Sequence, residues 1–201
     1  STETRGALID PEHWIACEVE ALPPREGPCV IGLDLGGSAS MTAAAWLWPE
    51  TGRLECRGWF PADPDLATRG ARDHVAGTYE EMARRGELRL LGERTVPVAE
   101  WLAEVLRHVD GQTVSAICAD RFKAAELSEG LNEAGVRAPV VWRGFGFRDG
   151  GEDIDRLRRW VFDRRVKVAP SLLLRHALEG AVTLTDPAGN AKLAKGRSTH
   201  R

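Results

Sequence analysis

Residues 28–48, PCVIGLDLGGSASMTAAAWLW, decide how the rest of the chain is organised. Residues 29–33 form an apolar run short enough for a buried strand, and Asp34 follows it directly. Residues 36–38, Gly-Gly-Ser, then predict a tight turn, and residues 41–48 predict a second strand that returns beside the first. The stretch therefore predicts a carboxylate held rigidly where a core strand meets a glycine turn.

The same pattern occurs again much later, at residues 114–120. This run, VSAICAD, is apolar and also ends in an aspartate, Asp120. Residues 53–60 predict a third strand that completes an antiparallel meander, because its connection to the second strand is short. A further strand is predicted at residues 139–142. It is connected to the strand at residues 114–120 through a helix, and such a crossover requires these two strands to be parallel.

The remaining segments are predicted to supply helices and loops around this sheet. A polar loop is expected over residues 61–72, and a flexible loop over residues 144–151. Helices are expected over residues 74–85, 98–109, 123–134, 153–164 and 171–178. A hairpin is expected at residues 182–194, because its turn reads DPAGN. The predicted fold class is α/β, with a mixed sheet of an antiparallel three-strand meander plus parallel strands, and flanking helices.

Bulk composition limits the function classes. The 201 residues are enough for one domain with its own core, and no apolar run approaches the roughly 20 residues of a membrane helix. The formal charge of -3 does not indicate nucleic-acid binding, so such a function requires a local basic face. The four cysteines lack CxxC spacing, which favours reduced thiols in an intracellular protein over disulfides or a zinc site.

The two strand-end acids are the strongest chemical signal. If their strands are neighbours in the sheet, Asp34 and Asp120 have backbones roughly 5 Å apart. Carboxylates this close repel, and a divalent cation is the usual compensation. Two such cations about 4 Å apart can activate a water and stabilise the leaving oxygen of a phosphodiester. The alternative, that both acids only terminate strands, stays open on the residues alone.

Three blocks of sequence resemble a known family. They are VIGLDLGGSASMTAAAW, then AICADRF around Asp120, then DPAGNAKLAKGRSTHR at the end, and the resemblance extends forward to about residue 10. Together they resemble the nuclease domain of the large terminase subunit of tailed phages, which has a ribonuclease H-like fold. The resemblance implies a two-metal-ion DNA endonuclease that cuts concatemeric viral DNA in the host cytoplasm, by attack of a metal-activated water.

The resemblance also implies site residues, cofactors and partners. Asp34 and Asp120 match the family's metal ligands, for two Mg²⁺ or Mn²⁺ ions, and a third acid is expected beyond Arg201. Residues 1–27 are expected to be a lead-in from an upstream ATPase domain, and residues 28–201 a nuclease domain lacking its last helix. No GxxxxGK[ST] phosphate loop occurs in the sequence. Double-stranded DNA, that ATPase domain, the small terminase subunit and the portal are the implied partners, and no membrane is implied.

Basic residues near these blocks are candidates for holding the DNA backbone. Several more basic residues lie in the same region with acids between them, and a solvated helix face explains most of those. The candidates are Arg121, Lys123, Arg143, Arg148, Lys192, Lys195 and Arg197.

Two other functions remain as alternatives. IGLDLGGS also resembles the first phosphate loop of sugar kinases and actin-like ATPases, where the acid and glycines face nucleotide phosphates. Such proteins need a second glycine-rich nucleotide site, which is not evident in the sequence. The second alternative is a non-catalytic docking module of a packaging machine, but such a module has no need for acids at both strand ends.

Overall fold

A computed structural model describes residues 3–194 of the chain. Its strands are β1 (Thr4–Ala7), β2 (Cys29–Asp34), β3 (Thr42–Trp48), β4 (Arg53–Phe60), β5 (Leu88–Leu90), β6 (Val114–Asp120), β7 (Val140–Arg143), β8 (Lys167–Val168), β9 (Val182–Thr185) and β10 (Ala191–Leu193). Its helices are α1 (Pro11–Ile15), α2 (Leu66–Arg72), α3 (Thr78–Arg84), α4 (Val98–Arg107), α5 (Ala124–Glu133), α6 (Phe147–Phe162) and α7 (Leu172–Gly180). A single turn of 3₁₀ helix, Arg121–Lys123, links β6 to α5.

The main sheet has the order β5-β4-β3-β2-β6-β7, and β8 pairs with the start of β4. Strands β2, β3 and β4 form an antiparallel meander. Strand β6 lies parallel to β2, and β7 lies parallel to β6. The predicted α/β fold, a mixed sheet of an antiparallel meander plus parallel strands with flanking helices, is therefore confirmed.

A second, smaller sheet was only half predicted. The hairpin of β9 and β10 was expected from its turn residues, but β1 also pairs antiparallel with β9. The exposed residues of β1 carry no apolar alternation, so nothing in the sequence marks them as a strand. The role of residues 1–27 as a lead-in from an ATPase domain stays a prediction. Within it, β1 and α1 pack onto the domain described here.

Three connecting segments differ from the predictions. The segment expected to be a polar loop at 61–72 contains α2, which Asp65 caps by accepting a hydrogen bond from the Thr68 N–H at 2.8 Å. The helix expected from residue 74 begins only at Thr78, because His74 has a positive φ of 59°. The loop expected at 144–151 is shorter, because α6 already begins at Phe147.

One face of the main sheet is covered by aromatic and aliphatic packing. Alternate residues of β2, β3, β4 and β6 point to this face and meet α4 and α5. The largest side chains there are four tryptophans with at most 1% exposure: Trp46, Trp48, Trp59 and Trp101. Burial of this face fixes the strand register, since a slip of one residue would turn the tryptophans outward.

The opposite face carries two separate apolar clusters. One joins α1, α6 and β8 around Trp14, Cys17 and Val161. The other joins α3 and α7 to the end of β4 around Phe60 and Met82. Between these clusters the sheet presents small side chains, and this gap holds the candidate site described below.

All four cysteines are free thiols, as predicted. Cys17 and Cys29 are buried, and burial raises the pKa of both thiols, so neither is poised for reaction. Among the described residues, no helix is both long enough and apolar enough to span a membrane.

An ion-pair cluster fastens the segment before β2 to the meander. The Glu55 carboxylate accepts hydrogen bonds from Arg25 at 2.9 Å and from Arg53 at 3.0 Å, and His108 Nε2 lies 2.9 Å from its other oxygen. The Glu55 side chain is only 17% exposed. Burial alone would raise its pKa, but the hydrogen bonds with His108, Arg25 and Arg53 hold the pKa well below its usual range.

Glu55→Gln is expected to lower the free energy of unfolding by about 2 kcal/mol near neutral pH, because Gln keeps the shape but loses the charge-assisted hydrogen bonds. A carboxyl with a depressed folded pKa stabilises the fold above its unfolded pKa of about 4.3, and this is lost as pH falls through the folded pKa. The stability gap between wild type and variant should therefore narrow below about pH 4 in denaturant titrations.

The matched control is Glu133→Gln, at the exposed end of α5. It should change stability by less than about 0.5 kcal/mol. If the difference in free energy of unfolding between wild type and Glu55→Gln stays constant from neutral to acidic pH, that result would contradict the electrostatic account of the cluster.

Candidate active site

The pairing of β2 with β6 brings the two predicted acids together. Their register aligns Gly32 with Cys118 and Leu33 with Ala119. One step further along both strands come Asp34 and Asp120. Because side chains alternate along a strand, both acids lie on the face that carries the small side chains, at the carboxyl ends of the two strands.

Asp34 and Asp120 line one cavity of about 310 Å³ on that face. Small residues from three neighbouring strands form its floor: Gly32, Ala43, Ala45 and Cys118. On one side it is closed by Arg143 and Phe145 from the end of β7 and the following loop, and by Asp153 of α6. The open space exists because these floor residues leave room that larger side chains would fill.

The electrostatics of the cavity follow from two like charges. The pKa of Asp34 is raised, first by desolvation against the surrounding strands and second by the negative charge of Asp120. The charge of Lys123 opposes both effects. Asp34 nevertheless keeps solvent access at the rim of the cavity. Two repelling carboxylates at a reachable rim form a hard-oxygen donor set, which suits Mg²⁺ or Mn²⁺.

The Asp120 carboxylate is oriented by the chain that follows it. Its Oδ1 accepts a hydrogen bond from the backbone N–H of Phe122 at 3.0 Å, which caps the 3₁₀ turn. This hydrogen bond holds one carboxylate oxygen on the turn. Because the carboxylate group is planar, the bond also sets the direction of the other oxygen. Among residues 3–194, no group of three or more His, Cys, Asp or Glu side chains could hold a metal ion. The third acid predicted beyond Arg201 lies outside the sequence and stays a prediction.

The glycine turn after Asp34 is held in place from two sides. The Gly36 N–H donates to Thr42 Oγ1 at 3.1 Å, and a Cβ at Gly36 would collide with the Ser40 carbonyl oxygen. Only glycine therefore fits this close approach. From the other side, the buried guanidinium of Arg69 donates to the Ser38 carbonyl at 2.9 Å.

The role of Arg69 was not predicted from the sequence, because its segment, residues 61–72, was predicted to be a polar loop. Its guanidinium also donates to the carbonyls of Asp63 and Pro64 at 3.1 and 3.0 Å, and it lies 4.6 Å above the Phe60 ring. These contacts tie α2 to the glycine turn. No local pattern marks an arginine for burial, so the sequence held no signal for this role.

Three predicted DNA-binding residues lie beside the acids. Lys123 is close enough to affect the charge state of Asp34. Arg121 is paired with Asp149 at 3.0 Å. Arg143 lines the cavity and makes a two-bond contact with Asp153, at 2.9 and 3.1 Å. Both arginines are thus balanced by acids of α6, and one of these, Asp149, lies in the segment that was predicted to be a flexible loop.

Of the other four predicted DNA-binding residues, the two that the structure describes, Arg148 and Lys192, are not part of the cavity lining. Arg148 is exposed in the first turn of α6. The Lys192 ammonium of β10 lies 4.5 Å above the ring of Phe147, so it packs on the start of α6. Lys195 and Arg197 lie outside the described residues. Their contact with DNA stays a prediction.

The sequence of the chain is similar to that of a phage protein. No protein-family model matches the chain. It is 27% identical over 205 aligned positions to the large terminase subunit of Enterobacteria phage HK97, and the alignment covers 98% of the chain. The chain is a homologue of that subunit. It spans 39% of the length of this curated relative.

Solved structures of large terminases have a fold similar to that of the chain. The crystal structure of the HK97 large terminase superposes with a TM-score of 0.82 and 24% identity, over 98% of the chain and 42% of that structure. The large terminase nuclease of thermophilic phage G20c superposes with a TM-score of 0.55 and 14% identity, over 92% of the chain and 88% of that structure. A further structure of the G20c nuclease contains bound magnesium, with a TM-score of 0.56 and 13% identity, over 90% of the chain and 79% of that structure. The resemblance to terminase nuclease domains drawn from the sequence is confirmed.

Asp34→Asn is expected to raise the free energy of unfolding by about 0.5 kcal/mol in buffer containing EDTA, because it removes the repulsion with Asp120 and the cost of desolvating a charge. Solvent screening at the exposed rim keeps the gain small. Urea titration near neutral pH measures it, with Asp155→Asn on the exposed face of α6 as the control. A clear loss of stability in Asp34→Asn would contradict the repulsion inferred here.

Proposed function

We propose that this chain is the nuclease part of a large terminase subunit, a metal-dependent endonuclease that cuts concatemeric viral DNA during genome packaging. The observation that carries the proposal is the cavity shared by Asp34 and Asp120. Homology to the HK97 large terminase and the likeness to nuclease folds support it. The Asp120 carboxylate caps the 3₁₀ turn, but the repulsion between the two acids does not stabilise the fold, so their common position calls for another explanation.

Asp34 and Asp120 are the residues proposed to hold Mg²⁺ or Mn²⁺, with two ions sharing the site. The raised pKa of Asp34 fits this role, because a cation would remove the repulsion that causes part of the shift. When bound, the ions supply Lewis-acid activation of a water and stabilise the leaving oxygen. The hydrogen bond from the Phe122 N–H keeps the Asp120 carboxylate aimed, and Lys123 adds positive charge at the same rim.

Phosphate contacts are proposed for the cations around the cavity. Arg121, Lys123 and Arg143 are proposed as contacts beside the acids, and Arg148, Lys192, Lys195 and Arg197 are proposed as further contacts. Arg121 and Arg143 would exchange Asp149 and Asp153 for phosphate oxygens, which the partial exposure of both ion pairs allows. Such contacts are independent of sequence, so cleavage should be only weakly sequence-specific.

The chain spans well under half of its HK97 relative, so the whole machine is also part of the proposal. An upstream ATPase domain, the small terminase subunit, the portal and double-stranded DNA are the proposed partners, in the host cytoplasm. A third acid carried by a segment after Arg201 is proposed to complete the metal site.

Manganese-dependent nicking of supercoiled plasmid tests the proposal. Asp34→Asn and Asp120→Asn should each lower the nicking rate by at least about 100-fold, because each removes a metal ligand. Each should also remove the heat of Mn²⁺ binding in calorimetry. Asp155→Asn, an exposed acid of α6 away from the cavity, should match wild type in both measurements.

Retained nicking in either cavity variant would refute the assignment of the acids. A chain that includes the segment after Arg201 and still neither binds Mn²⁺ nor nicks plasmid would refute the metal site and favour the docking-module alternative. The sugar-kinase alternative predicts tight ATP binding, and the nuclease proposal predicts none, so an ATP titration under the same conditions separates them.

A further inference from the structure

A second cavity, of about 290 Å³, lies beside the glycine turn that follows β2. Ser38 of that turn lines it, together with three arginines and two aspartates: Arg69, Arg72, Arg94, Asp63 and Asp73. None of these arginines was among the predicted DNA-binding residues. We call this space the arginine cavity.

The sheet topology puts the arginine cavity at the same edge of the sheet as the two acids. Strands β2 and β4 run in the same direction, because each pairs antiparallel with β3, and β5 runs parallel to β4. The segments after β4 and β5 therefore leave the sheet at the edge where β2 and β6 end in the acids. In the strand order, the acids lie between the arginine cavity, on the β4 and β5 side, and Arg143, on the β7 side.

Hydrogen bonds between three loops hold the arginine cavity in shape. The Asp63 N–H donates to the Glu93 carbonyl at 2.7 Å, which joins the loop after β4 to the loop after β5. The Arg69 guanidinium donates to the Ser38 carbonyl at 2.9 Å, which joins α2 to the glycine turn. The cavity is therefore built into the fold, and a ligand would find its walls already in position.

Positive charge is crowded in the arginine cavity. The Arg69 side chain donates to backbone carbonyls and is 4% exposed. Burial lowers the pKa of Arg69, the charge of Arg72 lowers it further, and the charges of Asp73 and Asp63 offset this only in part. One oxygen of Asp73 accepts a hydrogen bond from the Tyr79 hydroxyl at 2.6 Å. An anion in the cavity would relieve the repulsion between the arginines.

Two of the three arginines are available to such an anion. Arg72 and Arg94 are exposed, and neither has a carboxylate within ion-pair distance among residues 3–194. By contrast, Arg121 and Arg143 are each paired with an acid of α6. An unpaired guanidinium can bind phosphate oxygens without first giving up a carboxylate, and its fork of N–H donors matches their geometry.

We propose that Arg72 and Arg94 hold a backbone phosphate of the DNA strand that is cut at Asp34 and Asp120. Arg69 adds its charge from behind and keeps the walls of the cavity in place. The inference rests on the proposed nuclease function and adds a second phosphate site to it. Arg72 and Arg94 are positioning residues, because the phosphate that they hold is not the one that reacts.

Chain length limits how far this phosphate is from the cut. Ser38 is four residues after Asp34, so their Cα atoms are at most about 14 Å apart. Successive nucleotides of one strand rise by about 3.4 Å along a duplex, so the strand reaches the arginine cavity within about four nucleotides of the acids. A strand held at the arginine cavity and also at Arg143 is fixed on both sides of the acids, which orients its phosphate for attack.

The test measures DNA binding without cleavage. Fluorescence anisotropy of a labelled duplex is followed in EDTA over a range of salt concentrations. The double variant Arg72→Gln/Arg94→Gln should weaken binding by at least about fivefold near 0.1 M salt. It should also reduce the slope of log K against log salt by about 0.9, the value for one phosphate contact. Arg72→Lys/Arg94→Lys, which keeps both charges, should retain the wild-type slope.

The matched control is the double variant Arg107→Gln/Arg137→Gln. Both of these arginines are exposed and lie shortly before β6 and β7 begin, at the opposite edge of the sheet. This variant removes the same net charge as Arg72→Gln/Arg94→Gln, so it should bind DNA within twofold of wild type. Circular dichroism of every variant checks that the fold is kept, which the exposure of the substituted side chains leads us to expect.

A second readout locates the contact on the chain. Phenylglyoxal modifies accessible arginines, and peptide mass spectrometry measures the rate at each position. Bound duplex should slow the modification of Arg72 and Arg94 by at least about threefold and should leave Arg107 unchanged. Inorganic phosphate or ATP at the same phosphate concentration should give no such protection, because DNA is also held at the other contacts.

The outcomes separate this inference from the proposed function. The phosphate site is overturned if the wild-type chain binds no duplex, or if Arg72→Gln/Arg94→Gln binds as well as the control variant. It is also overturned if DNA does not protect Arg72 and Arg94, or if inorganic phosphate protects them equally. Each of these results holds even when nicking depends on Asp34 and Asp120. If binding and protection depend on the two arginines but no metal-dependent nicking occurs, the phosphate site stands and the nuclease proposal fails.

Discussion

The parallel pairing of β2 with β6 is the constraint on which the rest of the site depends. It carries two acids to the same edge, where their repulsion and partial desolvation raise the pKa of Asp34. The fold tolerates this cost because the register is set elsewhere, by the tryptophan-rich packing of the opposite face. The tryptophan packing and the two acids thus lie on opposite faces of one sheet. A shift in register that moved one set of side chains would also turn the other set to the wrong face.

This division explains which parts of the molecule the sequence predicts well. Apolar runs of strand length mark β2 and β6, and the acids at their ends are visible as residues. Their meeting was predicted on the condition that the two strands are neighbours, and the pairing of β2 with β6 meets that condition. By contrast, α2 was missed, and the burial of Arg69 within it depends partly on the carbonyl of Ser38, which lies in a distant segment. Strand β1 was missed for a related reason: its pairing with β9 is a long-range contact without a local hydrophobic pattern.

The basic residues show a second limit of reading a sequence. Arg121 and Arg143 were predicted to face DNA from their position after strand ends, and both do lie at the edge with the acids. Their ion pairs with Asp149 and Asp153 come from a helix that begins earlier than predicted. Charge counting along the chain cannot detect such pairs, because the partners are separated by loops.

The acids of α6 have a consequence for how DNA would enter. An arginine already paired with a carboxylate binds phosphate only by exchange, so it contributes less to affinity than a free cation. With the net charge at -3, long-range attraction of DNA is also weak. A nuclease built in this way would bind a bare duplex poorly and would depend on the rest of a packaging machine to deliver a strand to it. That dependence would confine cutting to the moment when the DNA is held, which is the condition under which a concatemer should be cut.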